Sequence, residues 1–161
     1  MNYEPRKRLN SSHAQMSDSI SSIMKRSFVC LREFDTIEDA VDILIRSKQS
    51  GAPVIDENRV VIGYLSEKEC LKLVTGLRYH NGFPGYVSDH MNDEFKTMNV
   101  ETNIFTAVTT FINYRYHAYP VVDNEGKIVG LLTRQLLLEN VSNIKQTSWF
   151  DSDFQTVKRV T

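Results

Sequence analysis

Apolar residues in two stretches of the chain recur at i, i+3, i+4 and i+8, the spacing of one face of a helix. They are Ile37, Ala40, Val41 and Ile45 in the first stretch, and Ile104, Ala107, Val108 and Ile112 in the second. Thr36 and Thr102 precede them, and their hydroxyl groups can accept a hydrogen bond from the first helical turn. The pattern predicts amphipathic helices over residues 36–48 and 102–115.

Each predicted helix is followed by the same succession of elements. Short apolar runs containing a proline indicate strands, polar clusters indicate turns, and a second apolar run leads into another helix. Strand, turn, return strand and helix are predicted over residues 52–55, 56–59, 60–65 and 67–77, and again over 119–122, 123–127, 128–132 and 134–144. The sequence thus predicts an α/β protein built from βαββα units.

The two stretches are copies of one unit. A shift of 67 residues (120 minus 53) aligns the following pairs without a gap: Met24 with Met91, Pro53 with Pro120, Asp56 with Asp123, and Gly63 with Gly130. One small sheet cannot cover the apolar faces of its own helices. We therefore expect the two βαββα repeats to pack sheet to sheet, related by a pseudo-two-fold axis.

Composition and charge exclude several classes of protein. The 161 residues are 41% hydrophobic and 24% charged, as in globular proteins. The formal net charge of -1 provides no field that would concentrate nucleic acid. No apolar segment marks a secretion signal, and no run approaches the roughly 18 apolar residues that span a bilayer. We expect a cytoplasmic protein that binds neither nucleic acid nor membranes.

Catalytic and metal-binding chemistry is also disfavoured. Neither the two cysteines, Cys30 and Cys70, nor the four histidines have metal-ligand spacing. No nucleophile, acid and base pair, or ligand cluster emerges from the sequence, so we expect no catalytic residues and no enzyme activity. His117 precedes the Tyr119-Pro120 strand and is a candidate to line the cleft, but we expect the more common role of a partly buried structural histidine.

Three short segments in each copy resemble the motif of the cystathionine-β-synthase (CBS) domain family. They are Ile23-Met24, 50–56 and 63–66 in the first copy, and Asp89-His90-Met91, 117–123 and 130–133 in the second. The resemblance implies a tandem CBS pair, or Bateman module. It divides the chain into an N-terminal arm (1–18), a first repeat (19–77), a linker (78–86), a second repeat (87–145) and a C-terminal tail (146–161).

The function that the resemblance implies is regulatory. Such pairs commonly form homodimers, and AMP, ADP, ATP or S-adenosylmethionine bound between the repeats would modulate an effector protein that the sequence does not identify. No obligatory cofactor is expected. The alternative is a ligand-free adaptor with degenerate pockets, in which dimerisation and the aromatic tail residues Trp149, Phe150 and Phe154 provide the function. Apolar residues on the second helices also favour a homodimer: Leu71, Val74, Leu137, Leu138 and Val141.

Candidate ligand-binding residues lie where each return strand meets its second helix. Ser66 and Thr133 occupy these junctions, where the free N–H groups of a first helical turn attract phosphate. Beside Thr133, Arg134 offers a fork of donors for a phosphate. The resemblance also implies a carboxylate three positions further along that accepts hydrogen bonds from ribose; the first copy has Glu69 there and the second has Leu136.

The same residues have a purely structural alternative. Ser66 and Glu69 have the spacing of a capping box, and Thr133 can cap its own helix. Because Leu136 cannot accept a hydrogen bond, we expect the pocket that contains Ser66 and Glu69 to dominate adenosine binding.

Four further residues complete the set of ligand-binding candidates: Ala52, Tyr119, Phe95 and Thr97. The resemblance implies that family pockets mix both copies. We therefore expect the opposing repeat to contribute a wall near residues 95–97.

Overall fold

Two copies of one element order make up the computed structural model, which describes residues 19–80 and 85–148. The first copy contains β1 (Leu31–Arg32), α1 (Ile37–Ser47), β2 (Gly51–Ile55), β3 (Val61–Ser66) and α2 (Glu67–His80). The second contains β4 (Met98–Asn99), α3 (Ile104–Asn113), β5 (Ala118–Val122), β6 (Ile128–Thr133) and α4 (Arg134–Ser148). The predicted α/β architecture of two βαββα repeats is confirmed.

Each repeat forms a three-stranded sheet, in the orders β1-β2-β3 and β4-β5-β6. The first pair of strands in each sheet is parallel and the second is antiparallel. Both antiparallel pairs contain a register shift at equivalent places, after Val54 and after Val121. The shift of 67 residues therefore relates the details of strand pairing as well as the elements.

The residues that cap α1 and α3 occupy equivalent positions in the two repeats. Thr36 caps α1 as predicted, and its hydroxyl oxygen accepts from the Asp39 N–H at 3.1 Å. The prediction of Thr102 as the second cap is wrong: Asn103, the residue equivalent to Thr36, caps α3 and accepts from the Phe105 N–H at 2.8 Å. A short amide side chain serves this position as well as a hydroxyl does.

The repeats exchange the segments that precede them. Residues 20–25, the first exchanged segment, pair with the second sheet through Lys25 and Leu131, whose backbone N–H groups and carbonyls bond reciprocally at 2.9 Å. Residues 87–92, the second exchanged segment, pair with the first sheet through Asn92 and Tyr64 at 2.8 and 3.0 Å. Each repeat is thus completed by a segment that belongs in sequence to the other.

A glycine in each sheet allows the exchanged segment to pack closely against the backbone of that sheet. A Cβ on Gly63 would overlap the sulfur of Met91, and a Cβ on Gly130 would overlap the sulfur of Met24. The two methionines belong to the exchanged segments, so each segment lies directly on the backbone of the opposite sheet.

Each exchanged segment contributes residues to the hydrophobic core of the other repeat. Ile20 and Met24 are buried with residues of the second repeat, including Phe111 and Leu132. Val87 is buried with residues of the first repeat. A third cluster joins the two sheets: it contains Val61, Val122 and Ile128, against which Phe28, Cys30, Ile55 and Phe95 pack. The two repeats are therefore joined by shared hydrophobic packing.

Candidate functional site

Two cavities lie between the repeats, and each is lined by residues of both. The Ser66 cavity, of about 400 Å³, contains Ser66 and Glu69 together with residues 115–118 of the other repeat. The Thr133 cavity, of about 630 Å³, contains Thr133 and Leu136 together with residues 48–51. Ser50, His117 and Ala118 line both cavities. Every residue that lines the Ser66 cavity has a counterpart, 67 positions away, in the lining of the Thr133 cavity.

Strand ends and helix beginnings meet at these cavities. The N–H of Glu67, the first residue of α2, donates to the Ser50 carbonyl at 2.9 Å. The N–H of Arg134, the first residue of α4, donates to the His117 carbonyl at 3.1 Å. These two bonds place the N-terminus of each helix, the positive end of its dipole, beside the start of β2 or β5.

The capping box proposed for the first repeat is present. The Glu69 N–H donates to the Ser66 hydroxyl oxygen at 3.3 Å, and the Ser66 N–H donates to Glu69 Oε2 at 3.2 Å. The Ser66 hydroxyl also donates to Glu69 Oε2. Glu69 Oε1 makes no hydrogen bond among the described residues. One carboxylate oxygen caps the helix, and the other remains available in the cavity.

The second repeat retains the cap but lacks the carboxylate. The Leu136 N–H donates to the Thr133 hydroxyl oxygen at 3.2 Å. Arg134 directs one guanidinium nitrogen to the Tyr116 carbonyl at 3.0 Å. Leu136 itself lines the Thr133 cavity. The two cavities therefore differ in hydrogen-bonding capacity at the position where the family pattern has a ribose acceptor.

Tyr64 shapes the Ser66 cavity. A Cβ on Gly51 would lie 2.6 Å from Tyr64 Cε1, so the tyrosine ring packs against the bare backbone of β2. Burial, followed by the charges of Glu67 and Glu69, raises the Tyr64 pKa from 10.0 to about 12. The phenol therefore keeps its proton at neutral pH and remains a hydrogen-bond donor.

The two cavities also differ in charge. The Ser66 cavity contains two carboxylates and two cations: Glu67, Glu69, Lys68 and Arg115. The Thr133 cavity contains three cations and one carboxylate: Lys25, Lys48, Arg134 and Glu139. A polyanion is therefore attracted more strongly to the Thr133 cavity than to the Ser66 cavity.

Two predicted ligand-binding residues face away from both cavities. Ala52 and Tyr119 have no exposed surface and lie in the cores of the two repeats. Successive residues of a strand point to opposite faces, so their neighbours Gly51 and Ala118 line the cavities instead. Tyr119 packs edge-on against Phe111 and Tyr116, with ring centroids 4.8 and 5.4 Å away.

The expected wall near residues 95–97 lies elsewhere. Phe95 packs against the cluster that joins the two sheets, and Thr97 is exposed and lines neither cavity. The opposing wall of the Ser66 cavity consists of residues 115–118. It includes His117, whose predicted role as a partly buried structural residue is wrong, because its side chain is exposed and lines both cavities.

The sequence did not identify most of the charged residues that line the two cavities. Lys25 and Lys48 lie far along the chain from Thr133, and no local motif connects them to it. The usable signal was the repeat itself, since Lys25 and Lys48 are equivalent to Asn92 and Arg115 of the Ser66 cavity.

The described residues, 19–80 and 85–148, contain neither a metal-binding cluster nor a membrane-spanning helix. No group of three or more histidine, cysteine, aspartate or glutamate residues in this part of the chain is arranged to hold a metal ion. No helix there combines the length and the apolar character that a bilayer crossing requires.

A model of the CBS domain family matches the chain twice, over residues 20–76 and 87–143. The chain belongs to the CBS-domain family. The tandem pair indicated by the sequence motifs is therefore confirmed. The two matches include the exchanged segments and both strand-to-helix junctions that line the cavities.

Two curated relatives illustrate the range of proteins that contain such a pair. The chloroplastic CBS domain-containing protein CBSX2 of Arabidopsis thaliana is 26% identical over 136 residues, which are 69% of this chain and 57% of that protein. An inosine-5'-monophosphate dehydrogenase of Aquifex aeolicus is 35% identical over 98 residues, 60% of this chain but 19% of the enzyme. The chain thus spans little more than half of the first relative and a small part of the second.

Solved structures share the fold. CBSX2 in complex with AMP superposes with a TM-score of 0.70 at 26% identity, covering 79% of this chain and 98% of that one. The cytosolic domain of the Mg²⁺ channel MgtE in complex with ATP superposes with a TM-score of 0.65 at 24% identity, covering 78% of this chain and 49% of that one. The pairing of the two repeats is therefore an established architecture.

Proposed function

We propose that this chain is a regulatory module that binds an adenosine-containing ligand in the Ser66 cavity and modulates a partner protein. The observation that carries the proposal is Glu69 Oε1, an acceptor without a hydrogen-bond partner in the described structure, at a helix N-terminus inside a cavity of about 400 Å³. That volume is in the usual range for small-ligand sites. CBSX2, a related protein solved with AMP, provides the ligand class.

Each part of the cavity suits one part of such a ligand. Glu69 Oε1 can accept a hydrogen bond from a ribose hydroxyl, and the positive end of the α2 dipole can attract phosphate. Arg115, from the opposing repeat, adds a positive charge. Tyr64 lines the cavity and has a protonated phenol.

Regulation would follow from the position of the cavity between the repeats. Residues of both repeats line it, so a bound ligand contacts two bodies whose arrangement it can bias. A ligand shifts such an equilibrium only by its difference in affinity for the two arrangements.

The test is calorimetric titration of the chain with AMP, ADP, ATP and S-adenosylmethionine, paired with thermal unfolding. At least one ligand is expected to bind at about one per chain and to raise the melting temperature, because binding to the folded state alone stabilises it. The absence of binding by all four at millimolar concentration would favour the adaptor alternative, which the engagement of Glu69 Oε2 in the capping box supports.

We also propose that the module is a homodimer, because apolar side chains on its helices are uncovered. Of the five residues that motivated this expectation, Leu71, Val74 and Leu138 are exposed, whereas Leu137 is buried in the core and Val141 packs against it. The other two helices also have exposed apolar residues: Ile45 on α1 and Ile112 on α3.

A double substitution of Leu71→Glu and Ile112→Glu is expected to convert a dimer into a folded monomer. Both side chains are largely exposed, at 65% and 77%, so the charges should disturb association and leave the core intact. Light scattering measures the mass and circular dichroism the fold. A parent chain that is monomeric at micromolar concentration would refute the proposal.

A further inference from the structure

The helix α3 has one buried face and one exposed face. The side chains of Ile104, Ala107 and Phe111 are buried. A second face carries exposed residues at i, i+4 and i+7, which lie in one row along a helix. These residues form the α3 stripe: Phe105, Thr109 and Ile112. Its two apolar members, Phe105 and Ile112, are 69% and 77% exposed, so a large apolar surface of the second repeat is uncovered in the single chain.

The equivalent surface of the first repeat is charged. The shift of 67 residues assigns a counterpart on α1 to each member of the stripe, in order Glu38, Asp42 and Ile45 (105, 109 and 112 minus 67). All three counterparts are exposed. Along its whole length α1 has three carboxylates and one guanidinium group, whereas α3 has no charged residue. The two repeats therefore share a fold but present different surfaces on these helices.

The second helices do not show this difference. Leu71 on α2 and Leu138 on α4 occupy equivalent positions (138 minus 67), and they are exposed to similar extents, 65% and 68%. The contrast between the repeats is thus strongest between α1 and α3.

An absence of charge matters most where a surface meets a copy of itself. In a dimer with two-fold symmetry, a residue beside the axis faces the same residue of the other subunit. A charged residue there would meet a charge of the same sign and would lose its hydration. The centres of interfaces are accordingly depleted of charge and enriched in aromatic residues. The α3 stripe meets these requirements, and the surface of α1 with Glu38 and Asp42 does not.

We propose that two copies of this chain associate through their α3 stripes, with Thr109 beside the two-fold axis. The inference rests on the homodimer proposed above and specifies its arrangement. The second repeats of the two copies meet each other, and the acidic face of α1 stays in solvent. An arrangement in which α1 meets α3 of the other copy would instead bury the carboxylates of Glu38 and Asp42 against an uncharged surface, at a cost in desolvation.

Exchanging the residues at one pair of equivalent positions tests this arrangement. Thr109→Asp places two like charges at the centre of the proposed contact and is expected to raise the dissociation constant of the dimer by at least about tenfold. Asp42→Thr is the matched control, because it makes the reverse exchange at the equivalent exposed position. It should leave the constant within about threefold of the parent value, as at an ordinary surface position. Sedimentation equilibrium of the full chain measures both constants, and circular dichroism checks the fold.

Cysteine cross-linking probes the same contact without adding a charge. Thr109→Cys should form a covalent dimer with a short bismaleimide, since residues beside a two-fold axis lie close to their own counterparts. Asp42→Cys should give no more covalent dimer than the parent chain, which has the partly buried Cys30 and the buried Cys70.

Three results would overturn the inference while leaving the homodimer proposal intact. A Thr109→Asp dimer as tight as the parent dimer would mean that another surface forms the contact. Equal cross-linking of Thr109→Cys and Asp42→Cys would place both repeats against their own counterparts. Cross-linking only in a mixture of these two cysteine variants would show that α1 meets α3 of the other copy. A monomeric parent chain would reject both the inference and the homodimer.

Discussion

Ile20→Ala is expected to lower the free energy of unfolding by about 2 to 5 kcal/mol, the usual loss when a buried isoleucine is truncated. Ile20 has no exposed surface and lies in the core of the second repeat, although it precedes the first repeat in sequence. Its N–H also donates to the Thr102 carbonyl at 2.9 Å. The substitution therefore removes apolar packing from the repeat that Ile20 completes.

Equilibrium unfolding in urea, followed by circular dichroism, measures this loss. Ile23→Ala is the matched control in the same segment, because Ile23 is only partly buried against that core, and it should lose clearly less stability. A single cooperative transition is expected in both variants. A change for Ile20→Ala within about 0.5 kcal/mol of zero, as at a surface position, would show that the segment does not complete the second repeat.

Glu69→Gln is expected to weaken AMP binding in the Ser66 cavity by at least about tenfold, since hydrogen bonds to a charged group contribute roughly 1.5 to 3 kcal/mol. Glutamine can preserve the capping box, because either glutamate or glutamine serves at its third helical position. The substitution thus removes the charged acceptor while leaving the start of α2 formed. Calorimetric titration of each variant with AMP measures the change in affinity.

Two further variants separate the roles of Glu69. Glu69→Ala should also weaken AMP binding, and in addition should lower the melting temperature because it removes half of the capping box. Glu57→Gln is the charge-matched control, an exposed residue in the turn after β2 that lines neither cavity. If Glu69→Gln bound AMP as tightly as the parent chain, the carboxylate would be a helix cap alone.

Local sequence patterns were sufficient for the elements of this fold. The period of the apolar residues located α1 and α3, and the prolines marked β2 and β5. A strict shift of 67 residues implied that both copies share one topology. These features depend on neighbouring residues and on backbone propensity, so one sequence suffices to recognise them. The strand-to-helix junctions at Ser66 and Thr133 were predicted for the same reason.

It was harder to predict from the sequence which of two neighbouring residues is buried and which is exposed or lines a cavity. Leu137 is buried and Leu138 is exposed, since successive residues of a helix differ by about 100° in direction. Tyr119 lies in the core while Ala118 lines both cavities, because strand residues alternate between faces. The pattern indicated which segments approach the cavities but selected the wrong neighbours within β2 and β5.

The sequence by itself determined the repeat, the element order, the family motif and the unequal pair of Glu69 and Leu136. Only the tertiary structure decided that residues 20–25 and 87–92 complete opposite repeats. It also decided that Lys25, Lys48 and Arg134 meet in one cavity. The physical reason is distance along the chain: these contacts join residues that share no local periodicity, and packing of the whole molecule selects them.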